Sequence, residues 1–181
     1  NGLKTVVTAH DLIFIRYPGL YKKIDVNIYK KKITHACKTA DKIIAISNQT
    51  AKDLQHYLKV PEERITVIYQ GCHEIFHEKA SAAQIGQVRE KYKLPERFVL
   101  TVGTLEPRKN ALLLLKAIAR TKEKTPVVLV GKATSYQKQL EQVVHEENLQ
   151  DRVHFIHKVD FNDLPKIYQA AKIFVYPSRF E

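Results

Sequence analysis

The sequence predicts an α/β protein with parallel sheets and helical crossovers. Three observations carry that expectation. Short apolar runs of four or five residues, such as Phe98–Val102 and Val127–Val130, recur along the chain and are too brief for helices. Longer segments rich in helix formers separate them, so the second half reads β-α-β-α-β-α-β and the first half shows the same alternation. A small polar stretch, Lys79 to Gln84, interrupts the alternation and reads as a linker. It divides residues 1–79 from residues 80–181, with no sequence repeat between the two.

The elements follow in order. Thr5-Val6-Val7-Thr8-Ala9 reads as a buried strand, with His10 and Asp11 at its carboxyl end. Ligands bind outside the carboxyl ends of strands in open α/β sheets. His10 is therefore either a site residue or a structural histidine bonded to a loop carbonyl, and Asp11 suits an Asx turn. From Leu20 to Thr39 the apolar residues Tyr21, Ile24, Ile28 and Cys37 recur near helical spacing. Lys42–Ile46 is a strand, Ser47 or Asn48 caps a helix reaching Leu58, and Ile65–Tyr69 is a strand ended by Gly71. Past the linker, Ile85–Tyr92 is a short helix and Phe98–Val102 the central strand of the second half. Asn110 is a good cap for the helix 111–118. Val127–Val130 ends at Gly131, and Ser135 is placed to cap a helix through Glu147. Val153–Ile156 is the next strand; Asn162 or Asp163 precedes a helix at 164–171 with Pro165 in its first turn. Ile173–Tyr176 is the last strand.

The most informative stretch is Phe98–Asn110, FVLTVGTLEPRKN. It carries two adjacent cations, Arg108 and Lys109, in a strand-to-helix loop beside the positive end of a helix. Such an arrangement suits a phosphate or diphosphate. A solvated basic loop would look the same in the sequence.

Composition sets bounds. The 181 residues carry 30 Lys and Arg against 19 Asp and Glu, a formal net charge of +11, and the pI is near 9.6. An acidic partner is implied: nucleotide phosphates, anionic lipid or nucleic acid. No RNA-binding or zinc-finger pattern supports nucleic acid. Residues 16–42 are strongly basic with interleaved tyrosines and isoleucines. They fit either a core-facing helix with a solvated lysine face or an anionic membrane surface. Cys37 and Cys72 form no CxxC pair and read as free, buried or half-buried thiols of a reducing cytoplasm. His73 and His77 in HEIFHE match H-E-x-x-H in letters. The segment follows a strand and a glycine, with no third ligand in view, so no metal site is assigned. No apolar run approaches the ~20 residues of a membrane span, and no G-x-G-x-x-G follows a strand.

The G-x-x-x-x-R-K-N segment at Gly103–Asn110 resembles the opening of the C-terminal domain of family 4 glycosyltransferases, which have the GT-B fold of two Rossmann-like domains. Four further segments match in the family's order: Ala9–Leu12, Ala40–Ser47, Val67–Gly71 and Tyr176–Glu181. The resemblance implies that residues 1–79 are the later part of the acceptor-side domain. Residues 80–181 would then be the earlier part of the nucleotide-sugar domain, in an internal fragment of a longer enzyme. It implies that His10 contacts the transferred sugar and that Arg108 and Lys109 neutralise the donor diphosphate and stabilise the leaving group. It further implies that Gly103 admits close approach of backbone to ligand, that the loop His157-Lys158-Val159 packs on the base, and that Glu181 bonds the sugar. No D-x-D is present, and neither metal nor cofactor is expected.

The implied reaction is retaining transfer of a hexose from a nucleotide sugar to a glycan or lipid-linked acceptor, in polysaccharide or cell-envelope synthesis. It would take place in the cytoplasm, peripheral on the inner face of the membrane. The form T-L-E-P-R-K-N suggests GDP-mannose, with a UDP-sugar as alternative. Two other readings stand beside this one: a non-catalytic nucleotide-binding module, and a basic membrane-interaction module.

Overall fold

Every strand pairing is parallel in the computed structural model, which describes residues 2–180. Two compact units are present, one ending at Cys72 and the other running His73–Phe180.

The first unit holds a sheet in the order β1-β2-β3: β1 (Val6–Ala9), β2 (Lys42–Ala45) and β3 (Ile65–Val67). Ala9 pairs with Ala45 and Ala45 with Val67. Three helices serve it: the single turn α1 (Ile13–Arg16), the long α2 (Lys23–Thr39) and α3 (Asn48–Leu58). Leu12, Ile43, Leu54, Cys37 and Val60 close its core. Ser47 caps α3, its hydroxyl accepting from the Thr50 amide at 3.1 Å. The buried Asp53 carboxylate is held by Arg16 at 3.0 Å and Gln49 at 2.8 Å. Arg64 ties down the end of α2, donating to the carbonyls of Cys37 (2.6 Å) and Ala40.

Several expectations for this unit need correction. β3 stops at Val67, because Ile68 makes the last rung to Ala45 and the side chains beyond are exposed. α2 begins at Lys23, since Pro18–Leu20 forms a separate 3₁₀ turn. Only Cys37 of α2 is fully buried, with Ile33 packing partly against the core, so the core-facing reading holds for its second half alone. Cys72 is exposed rather than buried.

The second unit holds β4 (Val99–Val102), β5 (Val127–Val130), β6 (Val153–Ile156) and β7 (Ile173–Phe174) in the order β6-β5-β4-β7. The crossovers are α5 (Ala111–Ala119), α6 (Tyr136–Glu146) and α7 (Leu164–Ala170), with α4 (Ala82–Tyr92) leading in. Two cores flank the sheet: Leu114, Leu115, Leu129 and Leu140 on the α5–α6 side, and Phe98, Leu100, Val128 and Ile167 on the α4–α7 side. All four residues of β5 are buried, as a central parallel strand requires.

Residues 73–79 belong to this unit, earlier than the division expected at 79/80. His73 meets Phe161 edge-on, Phe76 meets Phe161 and Tyr168, and Gln169 bonds the Glu78 carbonyl and the Ala80 amide. The stretch 79–84 is in part helix start rather than linker: Ser81 and Gln84 form a reciprocal capping box on α4. HEIFHE is a 3₁₀ turn, Glu74–Phe76, not a helix presenting two histidines on one face. No group of three His, Cys, Asp or Glu able to hold a metal occurs among the described residues.

Candidate donor site at the ends of the second sheet

The order β6-β5-β4-β7 reverses direction between β4 and β7. A crevice outside the carboxyl ends of the strands opens at such a reversal, and it is where α/β sheets bind ligands. Gly103, Gly131, His157 and Tyr176 follow β4, β5, β6 and β7 at those ends.

Two glycines let the loops after β4 and β5 touch. Gly103 has φ +146°, and its amide donates to the Val130 carbonyl at 2.9 Å. Its own carbonyl oxygen lies 1.9 Å from where a Cβ on Gly131 would stand. The Leu105 amide donates to the Lys132 carbonyl at 3.0 Å, and Thr134 donates its hydroxyl to the Leu105 carbonyl. Thr134 also accepts from the Tyr136 amide at 3.2 Å, so it opens α6 in place of the expected Ser135, which makes no cap bond.

Pro107–Lys109 folds as a 3₁₀ turn ahead of α5. Asn110 follows in the left-handed region (φ 57°), where a short polar side chain is tolerated. It does not cap α5 with its side chain, as expected from the sequence. Instead its side-chain Nδ2 donates to the Pro177 carbonyl at 3.1 Å. The Arg179 amide donates to the Arg108 carbonyl at 3.0 Å, and the Ser178 hydroxyl lies 3.3 Å from that carbonyl. The turn that carries the cations is therefore sewn to the segment after β7. That strand is only two residues long, so Val175 and Tyr176 belong to the sewn segment.

The two cations are held differently. Arg108 is largely buried, at 17% side-chain exposure; it donates to Glu106 at 3.0 Å and to the Phe180 carbonyl at 2.9 Å. The Lys109 stem lies over Gly103, whose notional Cβ would sit 3.7 Å from its Cδ and Cε. Its ammonium donates to the Tyr176 hydroxyl and stands 4.7 Å from that ring's centroid. Lys109 thus spans the switch point from the end of β4 to the end of β7.

The remaining candidates spread out. His157 is exposed, with Nδ1 at 3.0 Å from the Gly131 carbonyl. A carbonyl only accepts, so Nδ1 carries the proton. Lys158 is exposed, while Val159 packs partly into the α4–α7 core. In the first unit His10 is exposed at the end of β1, its carbonyl accepting from the Thr50 hydroxyl at 3.0 Å. Asp11 makes the expected Asx turn, accepting from the Ile13 amide at 3.0 Å. Glu181 lies outside the described residues. Glu106 and Tyr176, which orient Arg108 and Lys109, were assigned no role from the sequence.

Comparison with known proteins adds the following. Residues 85–181 match the family model described as "Glycosyl transferases group 1", and residues 1–74 match "Glycosyltransferase Family 4". The chain is 28% identical over 183 residues to "O-antigen chain mannosyltransferase B" of Escherichia coli, covering 98% of this chain and 48% of that protein. It is 31% identical over 202 residues to "Serotype-specific mannosyltransferase WbdA" of Escherichia coli, covering 98% and 23%. The chain therefore spans about half the length of the first relative and about a quarter of the second. Among solved structures it resembles Anabaena Alr3699/HepE, crystallised in complex with UDP. The TM-score is 0.75 and the identity 23%, with 97% of this chain and 47% of that one covered.

Proposed function

We propose, from the premise that this chain belongs to the glycosyl transferases group 1 family and has the GT-B fold, that it forms the diphosphate-binding part of a retaining hexosyltransferase. The donor is a nucleotide sugar, GDP-mannose by preference and a UDP-sugar as the alternative. The acceptor is a glycan or lipid-linked saccharide of a cell-surface polysaccharide.

One observation carries the reading: Lys109 bridges the switch point of the second sheet, with Arg108 beside it in the same 3₁₀ turn. A diphosphate at that crevice would meet the ammonium of Lys109, the guanidinium set by Glu106 and the first turn of α5. The names of the two Escherichia coli relatives support mannose, and the UDP bound by the Anabaena protein keeps the uridine donor open.

In retaining transfer the bond from the anomeric carbon to the diphosphate oxygen breaks, and its electron pair leaves with the phosphate. The acceptor hydroxyl bonds to that carbon on the same face and gives its proton to the departing phosphate oxygen. The contribution of Arg108 and Lys109 is electrostatic, countering charge that grows on the diphosphate as the bond opens. His10, in the first unit, is assigned to the sugar. His157 and Lys158 are assigned to the base, and Val159 helps shape their loop from beneath.

The test is calorimetric binding of GDP-mannose and UDP-glucose to the complete protein and to Lys109→Ala and Arg108→Ala. Loss of a charge-assisted phosphate contact costs about 1.5–3 kcal/mol, so each variant should bind the donor roughly ten- to a hundredfold more weakly. Unchanged donor affinity in both would refute the assignment.

A further inference from the structure

α4 ends at Tyr92 because Lys93 takes the left-handed region (φ 51°) and turns Leu94 into the core. Ile85, Val88 and Tyr92 follow at helical spacing and form the stripe that α4 lays on the core it shares with α7. A phenylalanine at 92 would fill the same space. What the phenol adds is its hydroxyl, which donates to the Asp163 carboxylate at 2.9 Å and accepts from the Asp160 amide at 3.1 Å. Chemistry fixes both directions, since an ionised carboxylate only accepts and an amide N–H only donates. Lys91 holds the same carboxylate at 2.6 Å, and Lys166 stands 3.9 Å from its other oxygen. Asp160 is the corner at which the loop after β6 becomes α7. Its carbonyl accepts from the Asp163 amide at 3.0 Å and the Leu164 amide at 3.2 Å, and its carboxylate accepts from the Asn162 amide at 2.8 Å.

We propose that Tyr92 is a positioning residue for the base of the nucleotide donor, acting through the loop His157–Asp160. The proposal rests on the reading above that His157, Lys158 and Val159 face the base. That loop is tied at both ends: His157 to the Gly131 carbonyl at 3.0 Å, and Asp160 to the Tyr92 hydroxyl. Between the ties Val159 packs partly into the α4–α7 core, and Lys158 is left exposed. The two bonds of the hydroxyl reinforce one another, because a phenol that donates to a carboxylate becomes a better acceptor for the amide. Without the hydroxyl, the corner at Asp160 trades a protein partner for water, and part of the ordering of the loop falls to the base as it binds. Arg108 and Lys109 take their bearings from Glu106, the Phe180 carbonyl and Tyr176 instead. The hydroxyl of Tyr92 therefore acts on the base and not on the diphosphate.

The experiment is calorimetric binding of two probes to the complete protein: inorganic pyrophosphate, and whichever of GDP-mannose and UDP-glucose the parent binds more tightly. Tyr92→Phe should weaken the nucleotide sugar roughly three- to tenfold, as expected for one lost hydrogen bond, and leave pyrophosphate unchanged. Lys91→Gln is the control. It removes the ion pair to Asp163 and keeps both bonds of the hydroxyl, so both affinities should stay at the parent values. A merely structural role for Tyr92 would move both probes together or neither, and either result overturns the proposal. Hydrogen exchange on the parent decides the matter even if Tyr92→Phe does not fold. The Asp160 amide should be protected without ligand, and protected further by the nucleotide sugar but not by pyrophosphate. Rapid exchange there, or equal protection by the two probes, overturns the proposal as well. A parent that binds neither probe refutes the donor-site reading itself, and the proposal with it. A parent that binds both, with Tyr92→Phe unaltered, refutes the proposal alone.

Discussion

Replacing Gly131 by alanine tests the architecture of the candidate site most directly. The added methyl would lie 1.9 Å from the Gly103 carbonyl oxygen and 2.6 Å from its carbon, where real Cβ contacts do not fall below 3.0 Å. The obstacle is backbone, so no rotamer change relieves it. The loop after β4 must retreat by about 1 Å, straining or breaking the bond from the Gly103 amide to the Val130 carbonyl. Steric displacement of this kind costs about 1–3 kcal/mol and a lost backbone bond about 1 kcal/mol, giving roughly 2–4 kcal/mol in all. Urea unfolding followed by circular dichroism measures it. Gly86→Ala is the control, because a Cβ there meets nothing within 4 Å and the site is inside α4. That variant should gain about 0.5–1 kcal/mol. Donor affinity should also fall in Gly131→Ala, since Lys109 rests on the displaced Gly103. If Gly131→Ala unfolds at the same urea concentration as the parent, the two loops do not touch as described and the reasoning fails.

Other outcomes follow from the same structure. Arg16→Ala should destabilise the first unit by about 3 kcal/mol, because it strips the guanidinium from a carboxylate that is 6% exposed; chemical denaturation reads this. The Asp163 carboxyl is held below the usual carboxylate range chiefly by Lys91 at 2.6 Å, with Tyr92 at 2.9 Å adding to it. A carboxylate lowered on folding stabilises fully above its unfolded value, near pH 4, and loses that contribution as pH falls through the folded one. Asp163→Asn should therefore be less stable than the parent at neutral pH, with the gap closing in acid, as melting curves across pH will show. Burial pushes the Cys37 thiol up against the opposing effect of Arg64. A disulfide reagent should modify the exposed Cys72 in the native protein and Cys37 only after unfolding.

The parallel sheets and the order of elements were legible because central strands such as Val127–Val130 are apolar throughout and glycines mark their ends. Helix entries were less legible. Asn110 and Ser135 look like caps in the sequence, yet one side chain is drawn to the Pro177 carbonyl and the other makes no cap bond. Those partners are set by tertiary structure, and local spacing carries no trace of them. The adjacent cations were visible as a pair, but what orients each was not. Tyr176 meets Lys109 across 67 residues, and Glu106 could as well have faced solvent. The outer face of α2 illustrates the converse. The sequence offers Tyr21, Ile24, Ile28 and Cys37 as one stripe, but Cys37 packs with Ile33 on the core while Ile24 and Ile28 lie exposed on the opposite side.

The phenol under the Lys109 ammonium has one more use. The chain contains no tryptophan, so its intrinsic fluorescence comes from its nine tyrosines. An anion that draws the ammonium away changes both the ring's electrostatic surroundings and the proton its hydroxyl oxygen accepts. Inorganic pyrophosphate is optically silent in the near ultraviolet. Titrating it should change the tyrosine emission by which the parent differs from Tyr176→Phe, and leave Tyr176→Phe itself flat, which gives the candidate crevice its own built-in dye.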